Sequence, residues 1–241
     1  EFLYNAVQVL GDNQEKIPAF HRVPTMFIAM LGHKDFDKTD FSYMRTGIMA
    51  GSPCPIKVME DVIEKMNMKE ICITYGQTEA SPGCTMSKTT DSIEARVNTV
   101  GGAMYGVECK IVDPETGEDL PDNVDGEFVA RGYNIMKGYY KMPEATAAAI
   151  DEDGWLHTGD LARRDENGNY KITGRIKDMI IRGGENIYPK EIEDFLYTHP
   201  KVQDVQVIGV PDKQYGEEIM ACVILKEGEQ MTEEELKDYV R

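Results

Sequence analysis

The chain has 241 residues, of which 41% are hydrophobic and 29% charged, a composition typical of globular proteins with one large domain or two ordinary ones. Its 43 acidic and 26 basic side chains give a net charge of −17. Such a surface repels phosphates and anionic lipids, so neither nucleic acid nor a membrane surface is an expected partner. The sequence contains no run of about 18 apolar residues and therefore predicts no transmembrane helix.

The five cysteines are scattered along the chain, and no two of them form a Cys-x-x-Cys pair. This spacing argues against a disulfide framework and against a structural zinc site. We therefore expect a reducing, cytoplasmic compartment.

The first 95 residues alternate helix-like and strand-like segments. Apolar spacing predicts helices at 24–31 and 56–66 and buried strands at 46–50 and 70–75. Strand, helix and strand in this order predict a βαβ unit and a parallel sheet. Ligands of such sheets bind beyond the carboxyl ends of the strands, which here are followed by Gly51-Ser52-Pro53 and by the segment after Tyr75.

Residues 96–175 have a different texture, in which short β-rich runs alternate with turn clusters. The runs lie at 108–112, 126–130, 156–161 and 170–173. This spacing predicts hairpins and a small antiparallel sheet or barrel.

The segment after Arg175 predicts a small α+β domain. It contains strands at 179–181, 202–210 and 219–225, a Gly183-Gly184 turn, and a helix at 189–197 that buries Ile192, Phe195 and Leu196. Thr232 and Glu235 have the spacing of a capping box that opens a last helix.

The fold prediction is therefore α/β with a β-barrel-like subdomain, followed by a small, incomplete α+β domain. The predicted divisions are 1–95 for the α/β part of a large domain, 96–175 for the β-rich subdomain, 176–178 for a hinge, and 179–241 for the C-terminal domain.

The segment Tyr75-Gly-Gln-Thr-Glu79 leaves the second buried strand and carries several groups suited to a nucleotide. Tyr75 offers a flat aromatic face, Gly76 permits a close backbone approach, and Glu79 offers a hard oxygen ligand for Mg²⁺. The alternative is an ordinary turn in which Thr78 caps a helix.

Four further segments accompany this one in order. They are Gly126-Glu127 with Arg131-Gly132 and Gly138-Tyr139-Tyr140, then Gly154-Trp155-Leu156-His157-Thr158-Gly159-Asp160-Leu161, then Gly174-Arg175-Ile176-Lys177-Asp178, and then Arg182-Gly183-Gly184-Glu185-Asn186-Ile187-Tyr188-Pro189. With these segments the chain resembles the acyl-adenylate-forming, AMP-binding superfamily, and most of all its medium-chain and general fatty acyl-CoA synthetases. The resemblance covers nearly the whole chain.

The resemblance implies a role for each matching residue. Tyr75 would stack on adenine, Gly51, Ser52 and Pro53 would line the other side, and Gly76 and Gln77 would also contact the nucleotide. Thr78 would bind the α-phosphate and Glu79 would hold Mg²⁺, and these two are the candidate catalytic residues. Asp160 and Arg175 would bind the ribose, Lys177 would be the hinge, and Gly183 and Gly184 would line the CoA channel.

Read without the resemblance, Asp160 is a turn residue, Arg175 a surface ion pair and Lys177 a solvated lysine. Five basic residues against two acidic ones at 171–190 form a local excess that could attract CoA phosphates. His157 is more simply explained as packing beside the site than as an acid or base, and Trp155 as core.

The implied reaction is ATP-dependent activation of a carboxylic acid to acyl-AMP, followed by transfer to CoA. The resemblance implies two further elements that this sequence does not contain. The phosphate loop of the family is expected before Glu1, and its catalytic lysine is expected beyond Arg241. We expect a C-terminal fragment of a longer enzyme, inactive by itself. The alternatives are an aryl-CoA ligase or other adenylate-forming enzyme, and a non-catalytic nucleotide-binding relative.

Overall fold

The computed structural model describes residues 18–51 and 55–240, and the first of its three sheets confirms the predicted parallel arrangement. Its strands, in spatial order, are β1 (Ala19–Arg22), β2 (Thr46–Met49), β3 (Glu70–Gly76), β4 (Gly83–Met86) and β5 (Gly102–Ala103). β1, β2 and β3 are parallel, whereas β4 and β5 pair antiparallel. The carboxyl ends of β2 and β3 therefore lie side by side at one edge of the sheet.

Three helices accompany this sheet, namely α1 (Pro24–Leu31), α2 (Ile56–Lys65) and α3 (Ile93–Asn98). α2 buries Met59, Val62 and Ile63 at helical spacing, whereas Ile56 in its first turn is exposed. The buried side chains form one core with Phe27 of α1 and Met49 of β2. Each such side chain stabilises the fold by about 1.5–3 kcal/mol when fully buried.

The second sheet is an antiparallel meander of β6 (Val107–Val112), β7 (Gly126–Gly132), β8 (Leu156–Arg164) and β9 (Tyr170–Arg175). All four strands contain the runs predicted from the sequence. Across the described residues the sheet is open and does not close into the predicted barrel-like form. The physical reason lies at β9, because the backbone of Tyr170 there exchanges hydrogen bonds with Val100 and Gly101, which joins the second sheet to the first.

The third sheet follows a 3-10 turn at Ile176–Asp178. Its order is β11-β10-β13-β12, for β10 (Ile180–Arg182), β11 (Glu185–Ile187), β12 (Val202–Asp212) and β13 (Gly216–Leu225). The remaining helices are α4 (Pro143–Ala149), α5 (Pro189–Leu196) and α6 (Glu233–Val240). α5 packs on β12, and its Leu196 joins Ile180 and Val205 in a separate small core.

Two sequence predictions for these helices have different outcomes. The capping box of α6 is confirmed, since the Glu235 amide donates to Thr232 Oγ1 at 3.2 Å and the Thr232 amide donates to Glu235 Oε2 at 2.9 Å. The prediction that Phe195 is buried is wrong, because Phe195 remains 45% exposed. Its ring packs against the Tyr239 ring at 5.2 Å between centroids, and this contact does not bury it.

One side chain joins the second and third sheets. Arg163 on β8 places Nη2 3.0 Å from Asp125 Oδ2 and 3.0 Å from Glu191 Oε1 on α5. The third sheet is thus tied to the second by a 3-10 turn and by this ion pair. None of the helices in the described ranges is long and apolar enough to cross a membrane.

Candidate functional site

A cavity of about 660 Å³ opens where the three sheets meet. The first sheet contributes the carboxyl ends of β2 and β3, the second contributes β8 and β9, and the third contributes α5 and β12. Six residues singled out from the sequence line it, namely Gly51, Tyr75, Gly76, Asp160, Arg175 and Lys177. Residues from four separate segments of the sequence therefore meet at one surface.

Asp160 lies at the centre of this group. Its Oδ2 accepts a hydrogen bond from the Tyr75 hydroxyl at 2.8 Å, and its Oδ1 accepts one from Arg175 Nε at 3.2 Å. Asp160 and Arg175 are direct partners in the pairing of β8 with β9, so sheet register fixes their contact. Each carboxylate oxygen has a further lone pair, and Asp160 can therefore still accept hydrogen bonds from a ligand.

The Tyr75 ring is fixed by its neighbours before any ligand arrives. It packs edge-to-face on Phe128 with centroids 5.0 Å apart, and Phe128 packs in the same manner on Tyr170 at 5.1 Å. Burial, reinforced by the neighbouring Asp160 charge, raises the pKa of the Tyr75 hydroxyl well above its usual range. The hydroxyl stays protonated at neutral pH and serves as a donor to Asp160.

The bend that precedes Asp160 is held by a buried carboxylate, Glu127 on β7. Glu127 Oε1 accepts the Gly159 amide at 2.9 Å, and Oε2 lies 2.8 Å from Nδ1 of His157. His157 Nε2 lies 3.6 Å from Asp151, so the imidazole stands between two carboxylates beside the site. The sequence contains a signal for this role, because Glu127 of the Gly126-Glu127 motif is an acidic residue at the start of an apolar strand. This role was not predicted from the sequence.

Trp155 is half-buried, whereas the sequence prediction placed it in the core. Its ring lies between two cations, with Lys110 Nζ 4.6 Å and Arg131 Cζ 4.5 Å from the ring centroid. The indole therefore contacts charged side chains at the edge of the second sheet.

Thr78 and Glu79 occupy a 3-10 turn, Thr78–Ala80, which follows β3 and whose N-cap is Gln77. They are not among the residues that line the cavity. Because the N-cap of this turn is Gln77, Thr78 is not in the position of a capping residue, and the capping alternative is not supported. Glu79 Oε1 accepts a hydrogen bond from the Tyr139 hydroxyl at 2.9 Å, a partner 60 residues away that sequence reasoning missed.

The other predicted residues lie apart from this group. Ser52 and Pro53 are outside the described residues. Gly183 and Gly184 form the exposed turn between β10 and β11, with φ values of +61° and +89°, and neither lines the cavity. Positive φ is the conformation that glycine adopts at least cost.

Four of the five basic residues at 171–190 line the cavity. Lys171, Arg175 and Lys177 line it, as does Lys190, which forms an ion pair with Asp194. Arg182 is elsewhere, because it pairs with Glu218 and stacks on Tyr215. Within the described ranges, no three His, Cys, Asp or Glu side chains converge as a metal site.

Comparison with known families gives two matches along the chain. The sequence pattern of the AMP-binding enzymes matches residues 7–140, and the pattern of the AMP-binding enzyme C-terminal domain matches residues 191–241. The first match alone covers more than half of the chain.

Individual relatives agree with these matches. YngI of Bacillus subtilis, a candidate acyl-CoA synthetase, is 58% identical over 95% of this chain and 42% of its own length. The mitochondrial medium-chain acyl-CoA ligase ACSF2 of Bos taurus is 51% identical over 90% of this chain and 35% of its own length. The chain therefore spans less than half of either relative.

Among solved structures, ATP-bound MatB from Rhodopseudomonas palustris superimposes with a TM-score of 0.89 at 32% identity. The superposition covers 98% of this chain and 46% of the MatB chain. The arrangement of the three sheets is therefore one that a solved relative also adopts.

Proposed function

We propose, because the chain belongs to the AMP-binding enzyme family, that its cavity binds the adenosine part of ATP during activation of a carboxylic acid. The observation that supports this most is the carboxylate of Asp160, fixed through both oxygens by Tyr75 and Arg175 at the cavity wall. A carboxylate is the one side chain that can accept hydrogen bonds from two vicinal hydroxyls while it also holds two donors of its own. Ribose offers such a pair of hydroxyls.

The proposed reaction has two steps. In the first, a substrate carboxylate oxygen attacks the α-phosphorus of ATP, and the bond to pyrophosphate breaks to give acyl-AMP. In the second, the sulfur of CoA attacks the acyl carbon as its thiol proton leaves, and the bond to AMP breaks. Positioning and charge neutralisation account for most catalysis in phosphoryl transfer, and Tyr75, Gly51 and Arg175 would supply the positioning of the nucleoside.

Glu79 has the chemistry expected of a Mg²⁺ ligand. One of its oxygens is held by Tyr139, which leaves Oε2 for a cation. Mg²⁺ in nucleotide sites is commonly held by one or two carboxylates together with substrate phosphates, so a single carboxylate fits that mode of binding. The ion would neutralise phosphate charge, with Thr78 placed next to Glu79 to donate to the α-phosphate.

The second step would use a different pose of the third sheet. We propose that this sheet turns about Ile176–Asp178, with Lys177 as the hinge residue, since hinges are short element-terminal segments. In the pose described here Gly183 and Gly184 are exposed and outside the cavity. A turn of the sheet would bring this narrow glycine pair toward the cavity, where the thiol arm of CoA could pass.

The substrate we favour is a medium-chain fatty acid. The support is the similarity to proteins whose names describe medium-chain acyl-CoA ligases. A reducing compartment is also proposed, supported by the free state of Cys72, Cys84, Cys109 and Cys222. The longer protein should form a thioester with octanoate at a higher kcat/KM than with benzoate or coumarate; the reverse preference would identify an aryl-CoA ligase.

The role of Asp160 is tested by binding of AMP to the 241-residue chain, measured by isothermal titration calorimetry. Asp160→Asn should weaken AMP binding about 10- to 100-fold, because hydrogen bonds to a charged group contribute about 1.5–3 kcal/mol. The wild type should also bind 2′,3′-dideoxy-AMP more weakly than AMP, and the variant should no longer distinguish the two.

Asp122→Asn is the matched control. Asp122 pairs with Arg164 on β8, as Asp160 pairs with Arg175, but it is not among the residues lining the cavity. Its substitution should leave AMP affinity unchanged. Equal AMP affinities of the wild type and Asp160→Asn would exclude the ribose role and remove the main support for the proposed function.

A further inference from the structure

The segment Gly132–Tyr139, called the clasp below, holds the turn that carries Glu79. The Asn134 side-chain amide donates to the carbonyl oxygens of Ala80 at 3.0 Å and Gly83 at 2.8 Å. The Met136 amide donates to the Glu79 carbonyl oxygen at 2.7 Å. The Tyr139 hydroxyl donates to Glu79 Oε1 at 2.9 Å. Four hydrogen bonds thus run from the clasp to one short stretch, and one of them ends on the carboxylate itself.

The position of Tyr139 is set by contacts behind it. Its backbone amide donates to Thr146 Oγ1 of α4 at 2.9 Å, and Thr146 Oγ1 in turn donates to the Met142 carbonyl oxygen at 2.9 Å. Gly138 lies against the same threonine with φ +137°, and a Cβ there would come within 2.7 Å of Thr146 Cγ2. The approach of the Tyr139 hydroxyl to Glu79 is therefore built into the backbone of the clasp.

A neutral donor that holds one oxygen of a carboxylate restricts the rotation of that side chain before a ligand binds. The Tyr139 hydroxyl is a neutral group that donates to Glu79 Oε1 at 2.9 Å. A Glu side chain loses considerable rotamer entropy when it is fixed in one place. A donor that has already fixed Oε1 removes part of that cost before a cation binds through Oε2.

We propose that Tyr139 is a positioning residue that pre-orients the Glu79 carboxylate for a divalent cation bound together with the nucleotide. The inference rests on the proposed function, in which Glu79 holds Mg²⁺. Tyr139 touches neither nucleotide nor metal in this scheme; it acts through Glu79 alone.

The test is the Mg²⁺ dependence of nucleotide binding to the 241-residue chain. Binding of the non-hydrolysable analogue α,β-methylene-ATP is measured by calorimetry at a series of Mg²⁺ concentrations, and AMP binding is measured without Mg²⁺. Tyr139→Phe removes only the hydroxyl. It should raise the Mg²⁺ concentration at half-effect about three- to tenfold, as the net loss of a hydrogen bond implies, and leave AMP affinity unchanged.

Tyr140→Phe is the matched control, the same substitution one residue away. Tyr140 is 85% exposed, and its ring contact is with Lys141. This variant should bind both nucleotides like the wild type. In a Glu79→Gln background, Tyr139→Phe should add no further loss, because the tyrosine acts only through that carboxylate.

The outcomes separate the inference from the function on which it rests. If Glu79→Gln abolishes the Mg²⁺ effect and Tyr139→Phe leaves it intact, the positioning role is overturned and the role of Glu79 stands. If Tyr139→Phe weakens AMP binding without Mg²⁺ to the same extent, its role is structural and the inference is wrong. If Glu79→Gln retains the full Mg²⁺ effect, both the metal role of Glu79 and the inference fail, whereas the ribose role of Asp160 is unaffected.

Discussion

The two sides of the cavity differ in how they bring their sequence motifs together. On the side of the first and second sheets, Tyr75, Asp160 and Arg175 are joined by hydrogen bonds of 2.8 and 3.2 Å. On the side of the third sheet, the Gly183-Gly184 turn is exposed and contributes nothing to the cavity wall. One side has its predicted residues assembled at the cavity, whereas the predicted glycine pair of the other side lies outside it.

The difference follows from the kind of constraint on each side. Asp160 and Arg175 are register partners in one sheet, and Tyr75 is tied to them through Phe128 and Tyr170 in a shared core. The third sheet has its own small core and meets the second sheet through one turn, the contact of α5 with β9 and the Arg163 ion pair. Packed cores are rigid, whereas a short turn allows a whole unit to reorient.

The largest expected effect tests how firmly the assembled side is held. Asn134→Ala removes the donor to the carbonyls of Ala80 and Gly83 at a position only 8% exposed. Leaving buried polar groups unpaired costs about 1–3 kcal/mol each. We expect the free energy of unfolding to fall by about 2 kcal/mol, measured by urea titration with the fluorescence of Trp155, the only tryptophan.

Asn98→Ala serves as the control, since the Asn98 amide donates to the Glu94 carbonyl oxygen one helical turn away on an exposed surface. It should change stability by less than about 0.5 kcal/mol, as surface substitutions usually do. Equal small losses for both variants would mean that the clasp is not needed to hold the turn after β3, and the contrast between the two sides would weaken.

Much of the fold could be predicted from the sequence because its signals are local. Apolar patterning predicted two strands of the first sheet, all four of the second and three of the third, but not the short strands β1, β4, β5 and β11. The spacing of Thr232 and Glu235 predicted the start of α6. The meeting of Tyr75 and Asp160 at one site could also be predicted. The carboxyl ends of parallel strands lie at one edge of a sheet, which places Tyr75 at that edge. The family resemblance identified Asp160 as a residue of the same ligand site.

The features that were missed depend on tertiary contacts. Phe195 has the helical spacing of a core residue, but its exposure depends on how much of the ring Tyr239 covers. Whether the second sheet closes depends on which segment forms hydrogen bonds with the edge of β9. In this structure Val100 and Gly101 form them. No local pattern links Tyr139 to a glutamate 60 residues earlier.

A smaller effect is expected from loosening the third sheet. Arg163→Ala removes the ion pair to Glu191 on α5, a pair with a half-exposed acidic partner. Exposed ion pairs contribute about 0.2–1 kcal/mol, so the population of reoriented third sheet should rise about two- to fivefold. Limited trypsin digestion measures this, because Lys177 in the 3-10 turn is an exposed cleavage site.

Arg164→Ala is the control for this experiment, since the adjacent arginine pairs with Asp122 and does not reach the third sheet. Cleavage after Lys177 should accelerate in Arg163→Ala and remain at the wild-type rate in Arg164→Ala. In 1 M salt the wild type should approach the Arg163→Ala rate, because salt screens exposed charges. Unchanged cleavage in Arg163→Ala would show that the ion pair does not hold the third sheet in this pose.

The smallest expected effect concerns the thiols buried in the core of the assembled side. Burial raises the pKa of Cys84 to about 11 and that of Cys109 to about 12, from an ordinary value of 9.0, and both belong to the core that holds Tyr75. Above pH 9 the unfolded chain therefore binds fewer protons than the folded chain at these positions. Stability must then fall as pH rises from about 9 toward 12.

This alkaline loss should depend on the core thiols. In urea titrations between pH 8 and pH 9.5, Cys109→Ala should lose less stability with pH than the wild type, by under about 1 kcal/mol. Asn98→Ala, which removes no thiol, should follow the wild-type slope even if its absolute stability differs. Parallel slopes for all three proteins would indicate that the Cys109 thiol titrates as freely in the folded core as in the unfolded chain. The rigidity ascribed to the assembled side would then have to come from its hydrogen bonds alone.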